Sequence, residues 1–349
     1  MSVSYKEMPS RYLTPPDYTD RDLETLPDSS ERDLELLVTD RHVESDGVIS
    51  LHLTSATDQQ LPQWSPGAHI DVVVSDGIIR QYSLCGELSG TNQWRIGILR
   101  EPNSRGGSEF IHTNINVGDK LQARGPRNNF HLVESQRYLF IAGGIGITPI
   151  LPMVRHVADQ GLPWTLLYGG RSRKSMAFLE ELQEIEGGDL VLAPEDEVGL
   201  LDLEAYLGTP SDNTSVYCCG PGPLLDVVEA LCLEWPAGAL QIERFAASAR
   251  PIASGEAFDV EVKGRNIKTH VPAHETMLEV LENAGCEIQS SCRAGICGTC
   301  LVYVTEGTPE HHDDILTDEQ QASNKVMLPC VSRSKTASLS IKLVDDVEE

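Results

Sequence analysis

Three cysteines lie within nine residues near the carboxyl-terminal end of the sequence. Cys292, Cys297 and Cys300 have the spacing C-x4-C-x2-C, and Cys330 follows further along the chain. This asymmetric spacing is typical of the four thiolate ligands of a plant-type [2Fe-2S] cluster. Zinc, the alternative metal, usually takes two C-x2-4-C pairs, and four structural cysteines in a core need no particular spacing. The pattern therefore predicts a one-electron iron–sulfur centre held by these four residues.

Small residues separate the predicted ligands. Gly295 and Gly298 keep the loop compact, so that backbone N–H groups can turn towards the sulfurs and help to set the reduction potential. Cys286 lies outside the spacing, and we expect it to be an ordinary core residue. The cluster loop is thus predicted to lie within the third domain, directly after its predicted helix.

Length and charge limit the partners of this chain. Its 349 residues allow two or three domains, and its net charge is −26. Such an acidic protein repels nucleic-acid phosphates and anionic lipid surfaces, so neither is an expected partner. The amino-terminal sequence lacks the features of a secretory signal, which predicts a cytoplasmic location with reduced thiols. We expect a monomer built of self-contained domains.

Turn residues and apolar patterns divide the chain into five segments. Residues 1–32 are acidic and proline-containing without an apolar period, which predicts a flexible tail. Short strand-like runs with regular turns predict an antiparallel β-barrel over residues 33–135. Strands alternating with helices predict an α/β nucleotide-binding domain with a parallel sheet over residues 136–245. A linker is predicted over residues 246–257, and a third domain over residues 258–349.

The α/β prediction rests on a continuously apolar segment, residues 138–142, of the kind that is buried on both faces of a parallel sheet. Helical patterns separate it from further strand candidates at 164–168, 190–193 and 215–219. In the third domain, residues 258–262 and 267–271 alternate like the strands of a hairpin. Thr276 and Glu279 then have the spacing of a capping box that opens a helix.

A glycine-rich turn follows the apolar strand and opens a helix. Bare backbone and a helix amino terminus form a site for a pyrophosphate, although a tight turn needing positive φ explains the glycines equally well. A second loop after residues 215–219 lies at the same edge of the sheet, where ligands of open α/β sheets bind. The candidate NAD(P)H residues are Gly143, Gly144, Gly146, Thr148 and Pro149 in the first loop and Cys219, Gly220 and Pro221 in the second.

A nicotinamide delivers two electrons together whereas the cluster accepts one, so a flavin is needed between them. We expect the first domain to bind it. A guanidinium, a phenol ring and a hydroxyl occur close together in one strand-like segment, and a short glycine turn offers backbone amides to a phosphate. The alternatives are that the tyrosine is an aromatic residue packed within the strand, and that the glycine turn is an ordinary turn without a ligand. The candidates are Arg80, Gln81, Tyr82 and Ser83 in the strand and Gly106, Gly107 and Ser108 in the turn.

These motifs occur in one order that resembles the phthalate dioxygenase reductase and vanillate demethylase reductase family. The resemblance covers about residues 33 to 349 and includes the segment Arg80-x-Tyr82-Ser83-Leu84, both glycine loops and the cysteine tetrad. It implies three domains: an FMN-binding barrel, an NAD-binding α/β domain and a β-grasp ferredoxin domain. It also implies that Phe245 covers one face of the flavin and Tyr82 lies against the ring system.

The resemblance also assigns roles to single residues. Arg80 and the Gly106 to Ser108 turn are implied to bind the FMN phosphate, and Ser83 to lie near the flavin N5. Ser83 and Cys219 are the candidate catalytic residues. Residues 126–130 resemble the family's crossing segment between two domains, for which we expect a structural role.

The preferred nucleotide depends on a loop after the second strand of the α/β domain. An NADH-selective site favours an acidic residue there, whereas this chain has Arg171 and Arg173. Either arginine could accept the 2′-phosphate of NADPH, or both could be solvated surface charges. The family resemblance favours NADH, with NADPH as the alternative.

The function predicted from these motifs is an NAD(P)H-dependent reductase component. It passes electrons through FMN and its own cluster to a separate terminal oxygenase, expected to be of the Rieske type. A reductase module serving a cytochrome P450 and a non-enzymatic electron carrier are the alternatives. The acidic segment 311–319 is interpreted either as a docking rim for the oxygenase or as a solvated loop.

Overall fold

The computed structural model describes residues 32–57, 59–74, 78–88, 92–101, 106–245 and 255–344. The predicted tail, apart from Arg32, and most of the predicted linker lie outside these residues. Within the described part, no helix combines the length and the apolar character needed to cross a membrane.

The first part of the chain forms a six-stranded antiparallel sheet. Its elements are β1 (Arg32–Ser45), β2 (Val48–Ser55), β3 (Ala68–Val73), β4 (Ile79–Ser83), β5 (Trp94–Leu99), α1 (Gly107–Asn114) and β6 (Lys120–Asn128). The strand order is β4-β3-β6-β1-β2-β5. The two edges approach each other, because Leu84 beyond β4 forms a bridge with Ile96 of β5. Alternating residues such as Leu36, Leu51 and Ile70 fill the interior.

The middle part forms a five-stranded parallel sheet, as the alternating pattern predicts. Its strands are β7 (Arg137–Gly143), β8 (Trp164–Gly170), β9 (Asp189–Pro194), β10 (Thr214–Cys219) and β11 (Leu240–Glu243), in the order β11-β10-β7-β8-β9. The helices are α2 (Ile147–Asp159), α3 (Leu179–Gln183), α4 (Glu195–Val198), α5 (Glu204–Leu207) and α6 (Gly222–Leu231). The strand β11 has no counterpart among the predicted strands.

The apolar run in β7 has a direct structural cause. Phe140 packs into the hydrophobic core on one face of the parallel sheet, and Ile141 packs into the core on the other face. Because both faces are covered, every residue of the strand interior must be apolar. The prediction of a doubly buried strand is confirmed.

The last part forms a five-stranded mixed sheet and a separate strand pair. Its elements are β12 (Phe258–Val262), β13 (Ile267–Val271), α7 (Met277–Asn283), β14 (Val302–Glu306), β15 (Pro309–Glu310), α8 (Asp318–Ser323), β16 (Val326–Met327), β17 (Arg333–Ser334) and β18 (Ser338–Leu343). The sheet order is β13-β12-β18-β14-β16, and β15 pairs with β17. The predicted hairpin is confirmed by the pairing of β12 with β13. The capping box is also confirmed, since both of its hydrogen bonds are present at Thr276 and Glu279.

Candidate functional site

A cavity of about 390 Å³ lies where the three parts of the chain meet. Each part contributes side chains to its wall. Those that bear on the argument are His69, Arg80, Gln81, Tyr82, Ser83, Gly97, Ser108 and Asn129 from the first part, Ile145, Thr148, Glu243, Arg244 and Phe245 from the second, and Ile296, Asp314 and Ile315 from the third. The cavity therefore joins segments that are far apart in sequence.

One wall of the cavity is suited to an anionic group. The helix α1 begins at Gly107, and Gly106 before it has a φ of 94°. A Cβ at Gly107 would lie 2.6 Å from Nε of Arg80, so only glycine allows this approach of the guanidinium to the helix amino terminus. The positive side chain and the N–H groups of the first turn together favour a phosphate. The structure thus brings Arg80 together with the predicted phosphate turn.

Several buried polar atoms on the cavity wall have no hydrogen-bond partner among the residues that the structure describes. They are Nε2 of His69, Nε2 of Gln81 and Oγ of Ser83. His69 lies opposite Ser83 in the pairing of β3 with β4. Because buried polar atoms nearly always have hydrogen-bond partners, these three fit a ligand with both donors and acceptors, as a flavin has.

His69 is a site residue that the sequence patterns did not indicate. Burial lowers its pKa to about 4, with Arg127 adding to the effect and Asp71 opposing it. Its imidazole is therefore neutral near pH 7 and keeps one donor and one acceptor nitrogen. His69 reaches the cavity because β3 pairs with β4 in a register that sets His69 opposite Ser83.

The two glycine loops at the edge of the parallel sheet are packed against each other. A Cβ at Gly146 would lie 2.1 Å from the carbonyl oxygen of Cys219, and a Cβ at Gly143 would lie 2.7 Å from Cδ of Pro221. Gly144 adopts a φ of 55°. These glycines are therefore required by close approach and by conformation. The two predicted nucleotide loops are therefore in direct contact at the start of α2.

The first of these predicted loops reaches the cavity through Thr148. The hydroxyl of Thr148 donates to the carbonyl oxygen of Ile145 at 3.0 Å, and both residues line the cavity. A Cβ at Gly97 of β5 would lie 2.8 Å from Cγ2 of Thr148. Glycine at this position lets the antiparallel sheet contact the first turn of α2. A nucleotide on these loops would therefore lie next to a ligand in the cavity.

Cys219 is buried behind the cavity wall rather than on it. Its thiol faces Oε2 of Glu243 at 4.0 Å, and Glu243 lines the cavity. Burial raises the pKa of Glu243 to about 8. Burial, followed by the nearby Glu243, also raises the pKa of the Cys219 thiol well above its ordinary value. Both groups are therefore predominantly protonated at neutral pH, and Glu243 is a second site residue that the sequence patterns missed.

The arginine loop after β8 has acidic neighbours. Glu197 of α4 forms a bidentate ion pair with Arg173, with distances of 3.2 and 2.9 Å. The N–H of Asp196 donates to the carbonyl oxygen of Arg171 at 3.3 Å. A 2′-phosphate at Arg173 would therefore have to compete with a carboxylate that is already in place.

The cysteine tetrad has the features of a cluster site. Cys297, Cys300 and Cys330 are each 2% exposed, and the N–H of Ala294 points at Sγ of Cys292 at 3.3 Å. The adjacent Cys292 thiol, followed by nearby backbone N–H groups, lowers the pKa of the Cys297 thiol below its ordinary value despite its burial.

The loop conformation supports the same interpretation. Gly295 has a φ of 73°, and a Cβ there would lie 2.7 Å from Cγ2 of Val331. Gly298 has a φ of 75°. The thiols lie in two contacting pairs, Cys292 with Cys297 and Cys300 with Cys330, and Cys297 also lies near Cys300. Such neighbouring thiols with an N–H donor beside them fit a [2Fe-2S] cluster. As predicted, Cys286 is a core residue, 1% exposed and packed in a separate cluster of apolar side chains.

The cysteine loop contacts the antiparallel sheet directly. Nδ2 of Asn129, just beyond β6, donates to the carbonyl oxygen of Cys297 at 3.1 Å. Nη1 of Arg124 donates to Oε1 of Gln289 at 3.1 Å. Ile296, the residue before Cys297, lines the cavity. The predicted cluster site is therefore adjacent to the cavity.

The acidic segment 311–319 is only partly a surface feature. The side chain of Asp313 is 0% exposed, and its Oδ1 accepts the N–H groups of Ile315 and Leu316 at 3.3 and 2.8 Å. Asp314 faces the cavity. The exposed carboxylates of this segment are Asp318 and Glu319. The prediction of a docking rim is therefore wrong for Asp313, which caps its own loop.

The structure combines the cysteine tetrad, a parallel sheet with two glycine loops, and a cavity shared with an antiparallel sheet. These features define a multidomain iron–sulfur reductase of the ferredoxin-reductase type. Family models agree with this class. The 2Fe-2S iron-sulfur cluster binding domain matches residues 260–335, and the oxidoreductase NAD-binding domain matches residues 140–189.

Individual proteins are similar over most of the chain. A vanillate O-demethylase oxidoreductase of Pseudomonas sp. strain HR199 is 37% identical over 314 residues, which cover 88% of this chain and 99% of that protein. The phthalate 4,5-dioxygenase oxygenase reductase subunit of Pseudomonas putida is 36% identical and covers 86% of this chain and 93% of its own length. The chain belongs to this family of oxygenase reductase components.

Solved structures show the same architecture. Phthalate dioxygenase reductase, described as a modular structure for electron transfer from pyridine nucleotides to [2Fe-2S], matches with a TM-score of 0.65 and 31% identity over 89% of this chain and 98% of its own. An intact type IV self-sufficient cytochrome P450 monooxygenase matches with a TM-score of 0.83 and 38% identity over 88% of this chain. This chain spans 41% of the length of that P450 chain.

Proposed function

We propose that this chain is an NADH-dependent, FMN-containing reductase component that supplies electrons to a separate oxygenase of the Rieske type. One observation carries the proposal: the cavity is lined by residues of the antiparallel sheet, the nucleotide loops and the cysteine loop together. That arrangement provides neighbouring positions for a nicotinamide, a flavin and a cluster, in the order in which electrons would pass. We further propose that the first sheet is a small β-barrel and the last a β-grasp fold.

The residues of the first sheet fit FMN. We assign its phosphate to Arg80 and the amino terminus of α1, beside Gly107 and Ser108. The ring system would lie between Tyr82 and Phe245, with Ser83 and His69 as hydrogen-bond partners. When bound, FMN converts a two-electron hydride transfer into single-electron steps.

The protein side chains prepare the site for this chemistry. Glu243 holds a proton on its carboxyl group near neutral pH, so it adds no negative charge next to the reacting rings. Because Cys219 is buried, we propose that it packs behind the nicotinamide and takes no part in proton transfer, in contrast to the catalytic role expected from the sequence. Thr148 and Ile145 line the cavity on the side of the proposed nucleotide loops, where the nicotinamide would meet the flavin.

NADH is the preferred donor in this proposal. The ion pair with Glu197 engages Arg173, one of the two arginines that could accept a 2′-phosphate, and the neighbouring carboxylates of α4 repel that phosphate. The free ribose hydroxyls of NADH carry no such charge.

A cytochrome P450 is the second candidate partner, because the similarity to the self-sufficient P450 structure has a TM-score of 0.83. Reconstitution separates the two partners. Purified protein should bind FMN, lose its flavin absorbance with NADH under anaerobic conditions, and develop the electron paramagnetic resonance (EPR) signal of a reduced [2Fe-2S] cluster. Turnover with a Rieske oxygenase but not with a P450 supports the proposal, and the reverse result supports the second candidate. Absence of both flavin and cluster signals contradicts the reductase function.

A further inference from the structure

Asn129 lies between the cavity and the cysteine loop. Its side chain lines the cavity, and its Nδ2 donates to the carbonyl oxygen of Cys297 at 3.1 Å. Ile296, which precedes Cys297, lines the same cavity. Asn129 therefore contacts the flavin side and the backbone of a proposed cluster ligand at the same time.

The backbone around Asn129 is firmly held. Oδ1 of Asn128 accepts the N–H of Phe130 at 2.9 Å, and Phe130 is 2% exposed. Arg127 forms an ion pair of 2.7 Å with Asp71, and these two side chains are 2% and 5% exposed. Because its neighbours are fixed on both sides, Asn129 presents its amide to the cysteine loop from a rigid support.

We propose that Asn129 is a positioning residue for internal electron transfer, holding the Cys297 end of the cluster loop against the flavin cavity. This inference rests on the proposed function. One NADH hydride brings two electrons and one proton. The electrons would pass to the cluster one at a time, the cluster giving the first to the partner oxygenase before it accepts the second, and the proton would be released to solvent. Since electron-transfer rates fall steeply with distance, a loop held at one separation favours this step.

The same contact affects the cluster energetically. The side-chain Nδ2–H of Asn129 presents the positive end of a dipole to the carbonyl oxygen of Cys297, a proposed cluster ligand. Reduction adds negative charge to the cluster, and nearby hydrogen-bond donors stabilise the reduced form. Loss of the donor therefore makes the reduction potential more negative, and a carboxylate at this position lowers it further.

Gln289 provides a matched control. It also links the cysteine-containing part to the antiparallel sheet, through the 3.1 Å bond from Arg124, but it does not line the cavity. Asn129→Ala and Asn129→Asp are compared with Gln289→Ala and Gln289→Glu in the holoprotein. A redox titration followed by the cluster EPR signal gives the potential, and stopped-flow absorbance separates flavin reduction from cluster reduction.

We expect the potential to fall in the order wild type, Asn129→Ala, Asn129→Asp, with both Gln289 variants at the wild-type value. Cluster reduction in Asn129→Ala should slow by about tenfold, the factor equivalent to one net hydrogen bond, and by a larger factor than flavin reduction by NADH, which the stopped-flow traces resolve separately. A wild-type potential in both Asn129 variants overturns the proposal, as does an equal shift in Gln289→Glu. If Asn129→Asp fails to fold, the cluster potential and the cluster reduction rate of Asn129→Ala test the proposal. A wild-type protein whose cluster is not reduced by NADH contradicts the proposed function itself, which is a separate result.

Discussion

Arg95 of β5 and Glu181 of α3 form a bidentate ion pair between the antiparallel sheet and the parallel-sheet part of the chain. The Nη1–Oε1 and Nη2–Oε2 distances are 2.6 and 2.9 Å. Arg155 of α2 bonds the same carboxylate, and the Arg95 guanidinium lies 4.8 Å from the centroid of the Phe178 ring. Arg95 is two residues from Gly97, which contacts the nucleotide loop. The pair therefore fixes the nucleotide loops relative to the cavity.

Replacing Arg95 with Gln should weaken both stability and hydride transfer. We expect a loss of about 2 kcal/mol in the free energy of unfolding, less than the roughly 3–5 kcal/mol for a fully buried pair, because Glu181 keeps Arg155. The kcat/KM for NADH with ferricyanide as acceptor should also fall. Thermal denaturation and steady-state kinetics measure the two effects. Lys120→Gln, which breaks the exposed pair with Glu35, is the control; an equal loss in both variants contradicts the assigned role.

Replacing Cys297 with Ser should remove the cluster and leave flavin chemistry intact. The side chain belongs to the cysteine tetrad, whereas the nucleotide loops and Arg80 lie in other parts of the chain. We expect loss of the [2Fe-2S] absorbance and EPR signal, loss of cytochrome c reduction, and nearly unchanged ferricyanide reduction with NADH. Cys286→Ala is the matched control and should keep the cluster spectrum. A full cluster spectrum in Cys297→Ser would show that the ligand assignment is wrong.

The sequence predicted features that depend on local spacing. The capping box at Thr276 needs only residues three apart, and the β7 strand needs only a continuous apolar run. The cysteine spacing likewise identified a site whose residues lie mostly in one loop. Such signals are readable because the interacting groups are close in the sequence.

Features that depend on strand register or on contacts between parts of the chain were not predicted. His69 reaches the cavity because β3 pairs with β4 in one register. Asn129 meets Cys297 across 168 residues of sequence. The burial of Asp313 also follows from a loop that folds back on its own N–H groups, so an acidic run alone did not indicate exposure.

Replacing Glu197 with Gln should improve the use of NADPH. The carboxylate now engages Arg173 in an ion pair of 2.9 Å, and its neutralisation frees the guanidinium for a 2′-phosphate. We expect kcat/KM for NADPH to rise by about tenfold, the size of one hydrogen bond to a charged group, with little change for NADH. Glu184→Gln, an exposed carboxylate away from this loop, should change neither value. Equal changes in kcat/KM for NADPH and NADH would show that Glu197 and Arg173 do not determine which nucleotide is preferred.

Replacing Glu243 with Gln should alter how stability depends on pH. Burial raises the pKa of Glu243 from 4.5 to about 8, so the folded protein binds this proton more tightly than the unfolded chain. The stabilisation that goes with this proton is complete below pH 4.5, declines as pH rises, and is lost once pH passes the folded value of about 8. The wild-type melting temperature should therefore fall more between mildly acidic and mildly alkaline buffer than that of Glu243→Gln. Glu287→Gln, at an exposed position, should follow the wild-type profile. Parallel profiles for wild type and Glu243→Gln would show that this carboxyl does not retain its proton in the folded protein.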